Sequence, residues 1–261
     1  MRILIFIVIT FSACFYSTAQ SDTIRNSSIQ LLVGAVNSRM VDTGLTFNRQ
    51  PFSGTSFKFF AGYDRRRTKN MLLGSFEING GKLKMKGEQV SANITNGEIA
   101  ASYLFKTASY RIFGKKTRLY TGPKFSTAIN YVDATEKLDN ETLVAIHGFY
   151  LHAFQQIQFD KSNFLDVSIT LPTVAFSKRL VTDGGLYDPD NDHLIDILFD
   201  DSEFSLGKMI EFDAAWIKRL GRHTDITFRY RFAYMSNSEF GDFKFYSNEV
   251  LAGFKFYFKN E

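Results

Sequence analysis

The sequence predicts an all-β fold, a transmembrane antiparallel β-barrel of about ten strands (range about 8–12), from three observations. Segment 246–261 alternates between an apolar face and a face that holds Glu249 and Lys255, and it is rich in aromatic residues. The chain contains 28 Phe and 12 Tyr but only 4 Pro, which is unusual for a soluble domain. Short and long predicted connections alternate along the chain. An aromatic closing strand and such alternation are typical of barrels that cross a membrane.

Residues 1–19 are predicted to be a signal peptide that is cleaved after Ala19, which leaves the barrel as residues 20–261. Arg2 supplies a positive charge, and an apolar run too short to span a bilayer follows it. The alternative is a lipoprotein signal, because 11–14 loosely fits a lipobox that ends in Cys14, the single cysteine of the chain. Cleavage after Ala19 would leave a mature chain without a disulfide or a thiolate nucleophile.

Ten segments of alternating apolar and polar residues are predicted as strands. They are 28–38, 55–64, 70–79, 97–107, 117–131, 142–158, 163–172, 208–219, 222–235 and 245–259. The long connections between them are 39–54, 80–96, 132–141, 173–207 and 236–244. Short periplasmic turns and longer outward loops characterise outer-membrane barrels, so we expect a protein of the cell outer membrane with both termini periplasmic.

Strand alternation assigns charged side chains of both signs to the lumen of the predicted barrel. The predicted lumen charges are Glu211, Asp213, Asp225, Arg229, Arg231, Glu249 and Lys255, with Lys58, Asp64 and Glu77 on the early strands. An Arg or Lys on the lipid face would cost about 2–4 kcal/mol at mid-bilayer, whereas charges inside can pair with one another. About ten strands enclose a narrow interior. Large inward side chains such as Tyr120 and Lys124 therefore predict a lumen that is plugged or nearly so.

The overall plan resembles the outer-membrane β-barrel proteins of Gram-negative bacteria, across the whole mature chain. Locally, 234–237 (Tyr-Met-Ser-Asn) followed by Glu249 resembles the end of the lipid A deacylase barrels. In that family a His, a Ser two residues later and a Glu on the next strand form a hydrolytic triad, which would correspond here to Ser236 and Glu249. Tyr234 stands where the His belongs, and a Ser hydroxyl without a base is a poor nucleophile. We therefore expect no catalysis, with Ser236 beginning an outer loop and Glu249 neutralising a lumen arginine.

The predicted loop 173–207 contains a group of carboxylates that suggests a calcium site. The candidate ligands are Asp188, Asp190, Asp192 and Asp196. Carboxylates at alternate positions can converge on a hard cation. The EF-hand pattern fails, because His193 occupies the position that requires Gly and Phe199 the position that requires Glu. The alternative is a solvated loop or one that caps the barrel.

Lys82, Lys84 and Lys86 alternate with apolar residues in a segment predicted to be an outer loop. A basic edge there could bind the phosphates of lipopolysaccharide. The alternative is a charged edge that discourages pairing between sheets.

The net charge of +4 is mild and the basic residues are dispersed, so no nucleic-acid partner is expected. No cofactor is expected either. The predicted partners are outer-membrane lipid and lipopolysaccharide, with an extracellular ligand contacting loop 173–207. The predicted function is a non-enzymatic structural or surface-interaction role in the cell envelope. The alternatives are a hydrolase of lipid A or phospholipid, and a narrow channel.

Overall fold

The computed structural model describes residues 27–43, 50–85, 90–134, 140–183, 208–221, 223–237 and 243–258. Within these ranges, ten antiparallel strands form a closed barrel in which sequence neighbours pair and β1 closes on β10. The strands are β1 Ser27–Asp42, β2 Phe52–Arg66, β3 Asn70–Met85, β4 Ser91–Ile112, β5 Lys115–Asp133, β6 Asn140–Gln158, β7 Asn163–Asp183, β8 Lys208–Arg219, β9 Thr224–Asn237 and β10 Phe243–Tyr257. The predicted all-β barrel of about ten strands is confirmed. The described ranges hold no helix that is long and apolar enough to cross a membrane.

The barrel has two ends that differ in their connections. At the terminus end lie Ser27, Phe258 and the short turns 67–69, 113–114, 159–162 and 220–223. At the loop end lie the strand ends between which the connections 43–51, 86–90, 134–139, 184–207 and 238–242 run, and most residues of these connections fall outside the described ranges.

Several strands are longer than predicted, and the prediction of long loops at 80–96 and 173–207 is wrong in part. Strand β3 continues to Met85, β4 begins at Ser91, and β7 continues to Asp183. Near the end of β3 the pleat continues, with Leu83 and Met85 buried and Lys82 and Lys84 exposed. The two lysines thus lie on the outer face of a strand, and Lys86 falls outside the described residues.

A β-bulge at Thr173 explains why the seventh strand was predicted too short. Phe149 pairs with Val174 but the next residue, Tyr150, pairs with Pro172, so Thr173 is an extra residue in β7. Its hydroxyl donates a hydrogen bond to the Phe149 carbonyl oxygen. One extra residue shifts the alternation by one, so the buried positions change from even numbers to odd numbers along β7.

The outer face of the barrel is apolar over most of its height. Exposed side chains on it include Leu31, Val33, Phe57, Phe76, Ile99, Phe105, Phe125, Leu151, Phe176, Phe212, Trp216, Phe228 and Val250. Three of them, Phe57, Ile99 and Val250, expose more than 60% of their surface. Contiguous apolar surface of this extent is rare on monomeric soluble proteins and marks a surface that contacts protein or membrane.

The interior at the loop end is apolar as well, although the residues assigned to the lumen from the sequence were mainly charged. A cluster of buried side chains fills it, comprising Met40, Phe52, Leu83, Met85, Ala92, Ile94, Ala128, Val132, Ala134, Val144, Ile146, Tyr150, Ala175, Met209, Phe243 and Phe245. Several of these residues were predicted to lie in loops, where their alternation was not used. The charged part of the lumen therefore lies between this cluster and the terminus end.

Candidate functional site

Arg231 on β9 is the centre of the charged part of the lumen. Its guanidinium contacts three carboxylates from three strands, namely Glu77 on β3, Glu98 on β4 and Glu211 on β8. The Arg231–Glu98 distance is 2.7 Å. All four side chains are buried. The planar guanidinium presents five donors, so a single arginine can bind several carboxylates at once.

Two lysines extend this group into a continuous set of ion pairs. Lys58 on β2 lies 3.0 Å from Glu77 and 2.7 Å from Glu249 on β10. Lys124 on β5 lies 3.0 Å from Glu98 and 2.5 Å from Glu211. We call these seven residues the central network: Lys58, Glu77, Glu98, Lys124, Glu211, Arg231 and Glu249. Every charge in it contacts an opposite charge, as buried ions require, because an unpaired buried charge is strongly destabilising.

A second group of charges lies nearer the terminus end. Arg66 places its guanidinium 3.3 Å from Asp64 and 3.2 Å from Asp166. Lys255 also pairs with Asp64, and Gln156 donates a hydrogen bond to Asp166 at 2.9 Å. Arg66 belongs to a run of three arginines, a composition that is typical of a solvated turn. It is part of β2, and strand alternation directs it inward while Arg65 points outward.

The structure places all seven predicted lumen charges on the inner face. Besides those already described, Arg229 pairs with Asp213 on the neighbouring strand and lies 4.2 Å from the centre of the Phe60 ring. Asp225 accepts a hydrogen bond from the Tyr257 hydroxyl at 2.7 Å. Glu98 was not among the lumen charges predicted from the sequence. It alternates with apolar outward residues, and this alternation could have identified it.

Ser236 and Glu249 are not brought together. In the ladder between β9 and β10, Ser236 pairs with Lys244 and Glu249 pairs with Arg231. The five-residue separation corresponds to about 17 Å along a strand. The two side chains also lie on opposite faces, because Glu249 is in the lumen while Ser236 alternates with Met235, which packs against the interior cluster. This arrangement does not form a hydrolytic triad.

The two histidines of β6 lie on opposite faces, and neither is near Ser236. His152 Nδ1 lies 3.0 Å from the Ser102 hydroxyl in the lumen. His147 Nδ1 lies 3.1 Å from the Thr127 hydroxyl on the other face. Neither histidine therefore replaces the base that the deacylase pattern requires.

The predicted calcium ligands cannot be placed. Asp188, Asp190, Asp192 and Asp196 lie outside the described residues. Across the ranges that are described, no group of three or more His, Cys, Asp or Glu side chains could hold a metal ion.

Two cavities lie on opposite sides of the central network. The larger, about 130 Å³, faces the terminus end and is lined by Arg66 and His152 among others. The smaller, about 50 Å³, faces the loop end and is lined in part by Asn79. Glu98, Glu211 and Arg231 line both cavities. Each has room for ordered water beside polar groups, and the central network separates them.

Comparison with known proteins supports the fold. No protein-family model matches the sequence, and no curated protein matches it. The crystal structure of the outer membrane protease OmpT from Escherichia coli matches with a TM-score of 0.55 at 8% identity, covering 92% of this chain and 99% of that one. The beta domain of the Bordetella autotransporter BrkA matches with a TM-score of 0.42 at 8% identity, covering 89% and 100%. The chain thus shares its closed β-barrel fold with OmpT, and at this identity the likeness concerns the fold alone.

Proposed function

We propose that the chain is an outer-membrane β-barrel without catalytic activity, with a structural or surface-interaction role in the cell envelope. The observation that carries this proposal is the opposite chemistry of adjacent residues on the two faces. Exposed Phe57 is followed by buried Lys58, and exposed Val250 follows buried Glu249. An apolar exterior around a charged interior suits a barrel in a bilayer. In water the same exterior would be unfavourable, because its apolar surface would be exposed to solvent.

The closed lumen favours a structural or binding role over passive diffusion. The central network ties β9 to β3 and β4, and the apolar cluster fills the loop-end interior. Ten strands leave little space that these side chains do not occupy. The barrel would then present binding surfaces at its ends rather than conduct solutes.

The loop end is proposed to face the cell exterior, with both termini in the periplasm. The support is the difference in connection length, since single-chain outer-membrane barrels have short periplasmic turns and longer extracellular loops. Connection 184–207 is the longest. It would be the part of the surface available to an extracellular ligand.

Single-cysteine labelling tests the location and the orientation together. The Thr43→Cys variant places a thiol at the loop end, and the Lys161→Cys variant places one in a turn at the terminus end. A membrane-impermeant maleimide should label the first on intact cells and the second only after the outer membrane is permeabilised. The wild-type chain serves as the control, because its single cysteine, Cys14, lies in the predicted signal peptide. The reverse labelling would overturn the orientation, and recovery in the soluble fraction would overturn the membrane location.

The absence of hydrolase activity has its own test. Ser236 lies opposite Lys244 and away from Glu249, and Tyr234 replaces the expected histidine. Cells that express the wild type or the Ser236→Ala variant should therefore have identical mass profiles of lipid A and phospholipid. Loss of an acyl chain with the wild type alone would revive the hydrolase interpretation.

A narrow channel is the second candidate, and the two cavities favour it. They lie in line on either side of the central network and share Arg231 as a wall. Conduction would require the ion pairs of Arg231 to separate. Single-channel recording distinguishes this function from the closed barrel.

A further inference from the structure

The outer face repeats one arrangement at all four short turns of the terminus end. At each turn an exposed aromatic side chain is followed two residues later by an exposed lysine or arginine. The pairs are Tyr63–Arg65, Phe113–Lys115, Phe159–Lys161 and Trp216–Lys218. Residues two apart on a strand share a face, so on β2 and β8 the ring and the cation lie side by side on the outside of the barrel. Four occurrences at four turns give a ring of aromatic and basic groups around this end.

This end of the barrel is strongly basic. The described turn residues, together with the outward strand residues within two positions of each turn, include six exposed basic side chains. They are Arg65, Arg67, Lys69, Lys115, Lys161 and Lys218. We call them the basic rim. Asp160 is the single outward carboxylate among the same described residues.

Asp160 offsets one positive charge of the basic rim, and its carboxylate is held within its own turn. It accepts hydrogen bonds from the backbone N–H of Ser162 at 2.7 Å and of Asn163 at 2.8 Å. The Ser162 hydroxyl at 3.0 Å and the Asn163 side-chain amide at 2.7 Å donate to it as well. Because the cations outnumber this one carboxylate, the net charge of the terminus end stays positive.

Aromatic rings beside cations indicate a lipid surface as the partner. Rings of this kind lie at the headgroup level of membranes, and basic groups there attract anionic lipid. Long basic side chains can also lay their stems along apolar surface and keep their charge in the headgroup region. Phe113 is the clearest case, since it is 97% exposed at the tip of its turn. A soluble polyanion would use the cations but leave the rings in water, whereas a lipid leaflet satisfies both.

We propose that the basic rim binds anionic phospholipid headgroups in the leaflet at the terminus end. This inference rests on the proposed membrane-spanning barrel and adds a preference among lipids. The barrel would gather phospholipids with net negative charge around its turns in preference to zwitterionic ones.

The chain contains a built-in reporter for this surface. Trp216 is its single tryptophan, and it lies in the ring beside Lys218. Brominated lipid that contacts Trp216 quenches its fluorescence, so quenching measures which headgroup occupies the site. The full chain is refolded into three kinds of vesicle. The first contains brominated phosphatidylcholine alone. The other two contain equal parts of phosphatidylcholine and phosphatidylglycerol, with only the phosphatidylglycerol brominated in one and only the phosphatidylcholine brominated in the other.

We expect phosphatidylglycerol to be favoured at Trp216 by about three- to fivefold at low salt, and less as salt screens the charges. The Lys218→Gln variant should lose most of this preference. The Lys84→Gln variant is the matched control, because Lys84 is an exposed lysine on the outer face at the other end, and it should keep the preference.

The outcomes separate this inference from the function on which it rests. Equal quenching by both lipids, or an unchanged preference in the Lys218→Gln variant, would overturn the lipid preference and leave the membrane barrel intact. Quenching by neither lipid would show that Trp216 does not contact the bilayer and would overturn the proposed function itself. If soluble polyglutamate displaced phosphatidylglycerol from Trp216, the proposed lipid preference would be overturned and an acidic protein would be the partner instead.

Discussion

Arg231 and Glu98 form an ion pair of 2.7 Å across the full width of the barrel. Their strands, β9 and β4, are five strands apart in either direction around the closed ten-strand ring. Both side chains are buried. The pair therefore links opposite walls, which neighbouring-strand hydrogen bonds alone do not do.

Replacing Arg231 by methionine should strongly destabilise the barrel. Glu77, Glu98 and Glu211 would lose the guanidinium that they share, and breaking a buried ion pair costs about 3–5 kcal/mol. Unfolding in guanidinium chloride, followed by Trp216 fluorescence in vesicles, measures the free energy of unfolding. The Lys84→Met variant, on the exposed outer face, should change it by no more than about 0.5 kcal/mol. Equal stability of the two variants would contradict the role of the central network.

Lys58 and Glu249 should show a coupling energy in a double-mutant cycle. They lie 2.7 Å apart in the lumen, so the Lys58→Met and Glu249→Gln variants each remove one partner of this ion pair. The double variant should lose less free energy of unfolding than the two single variants lose together, and the difference should be about 0.5–3 kcal/mol. The same chemical unfolding measurement applies. Additive effects would mean that the two groups do not interact in the folded protein.

The seam between β1 and β10 should depend on two glycines. A Cβ added at Gly34 would overlap the carbonyl oxygen of Val250, and one at Gly253 would overlap that of Leu31. The Gly34→Ala and Gly253→Ala variants should each lose about 1–3 kcal/mol through overpacking. Temperature-dependent migration on gels reports the loss as unfolding at lower temperature. The Gly74→Ala variant has nothing within 4 Å of the added carbon, and a similar loss there would rule out a special role for the seam.

Asp160 should titrate well below an ordinary aspartate. Hydrogen bonds from the Asn163 side chain and then the Ser162 backbone lower its pKa to about 2, against about 3.9 in an unfolded chain. Because the folded pKa is the lower one, its stabilisation of the turn is complete above about pH 4 and is lost as the pH falls towards 2. Carboxyl carbon chemical shifts of the full chain in micelles measure this pKa. The Asn163→Ala variant should raise it, while Thr68→Ala, in another turn, should not. A wild-type pKa near 4 would show that the turn does not hold the carboxylate.

Strand alternation predicted the fold and much of the lumen, because a two-residue period is preserved wherever a strand is regular. Glu211 and Asp213 alternate with Ile210 and Phe212, so their inward position follows from the sequence alone. The number of strands follows in the same way.

The same reasoning failed where the period was broken or hidden by composition. The bulge at Thr173 reverses the alternation of β7, and no residue type near it in the sequence indicates a bulge. Arg66 stands among three consecutive arginines, so its turn-like composition concealed a strand position. The partners across the lumen, such as Glu98 with Arg231, depend on the curvature of the closed sheet and cannot be derived from spacing along one strand.

Single-channel recording of the refolded wild-type chain in planar bilayers tests most directly the claim of a membrane barrel with a closed lumen. Quenching of Trp216 by brominated lipid in parallel vesicles verifies insertion. We expect insertion without stepwise conductance, because the central network and the loop-end cluster occupy the lumen. Long-lived conductance steps from the wild type would contradict it and establish the channel in its place.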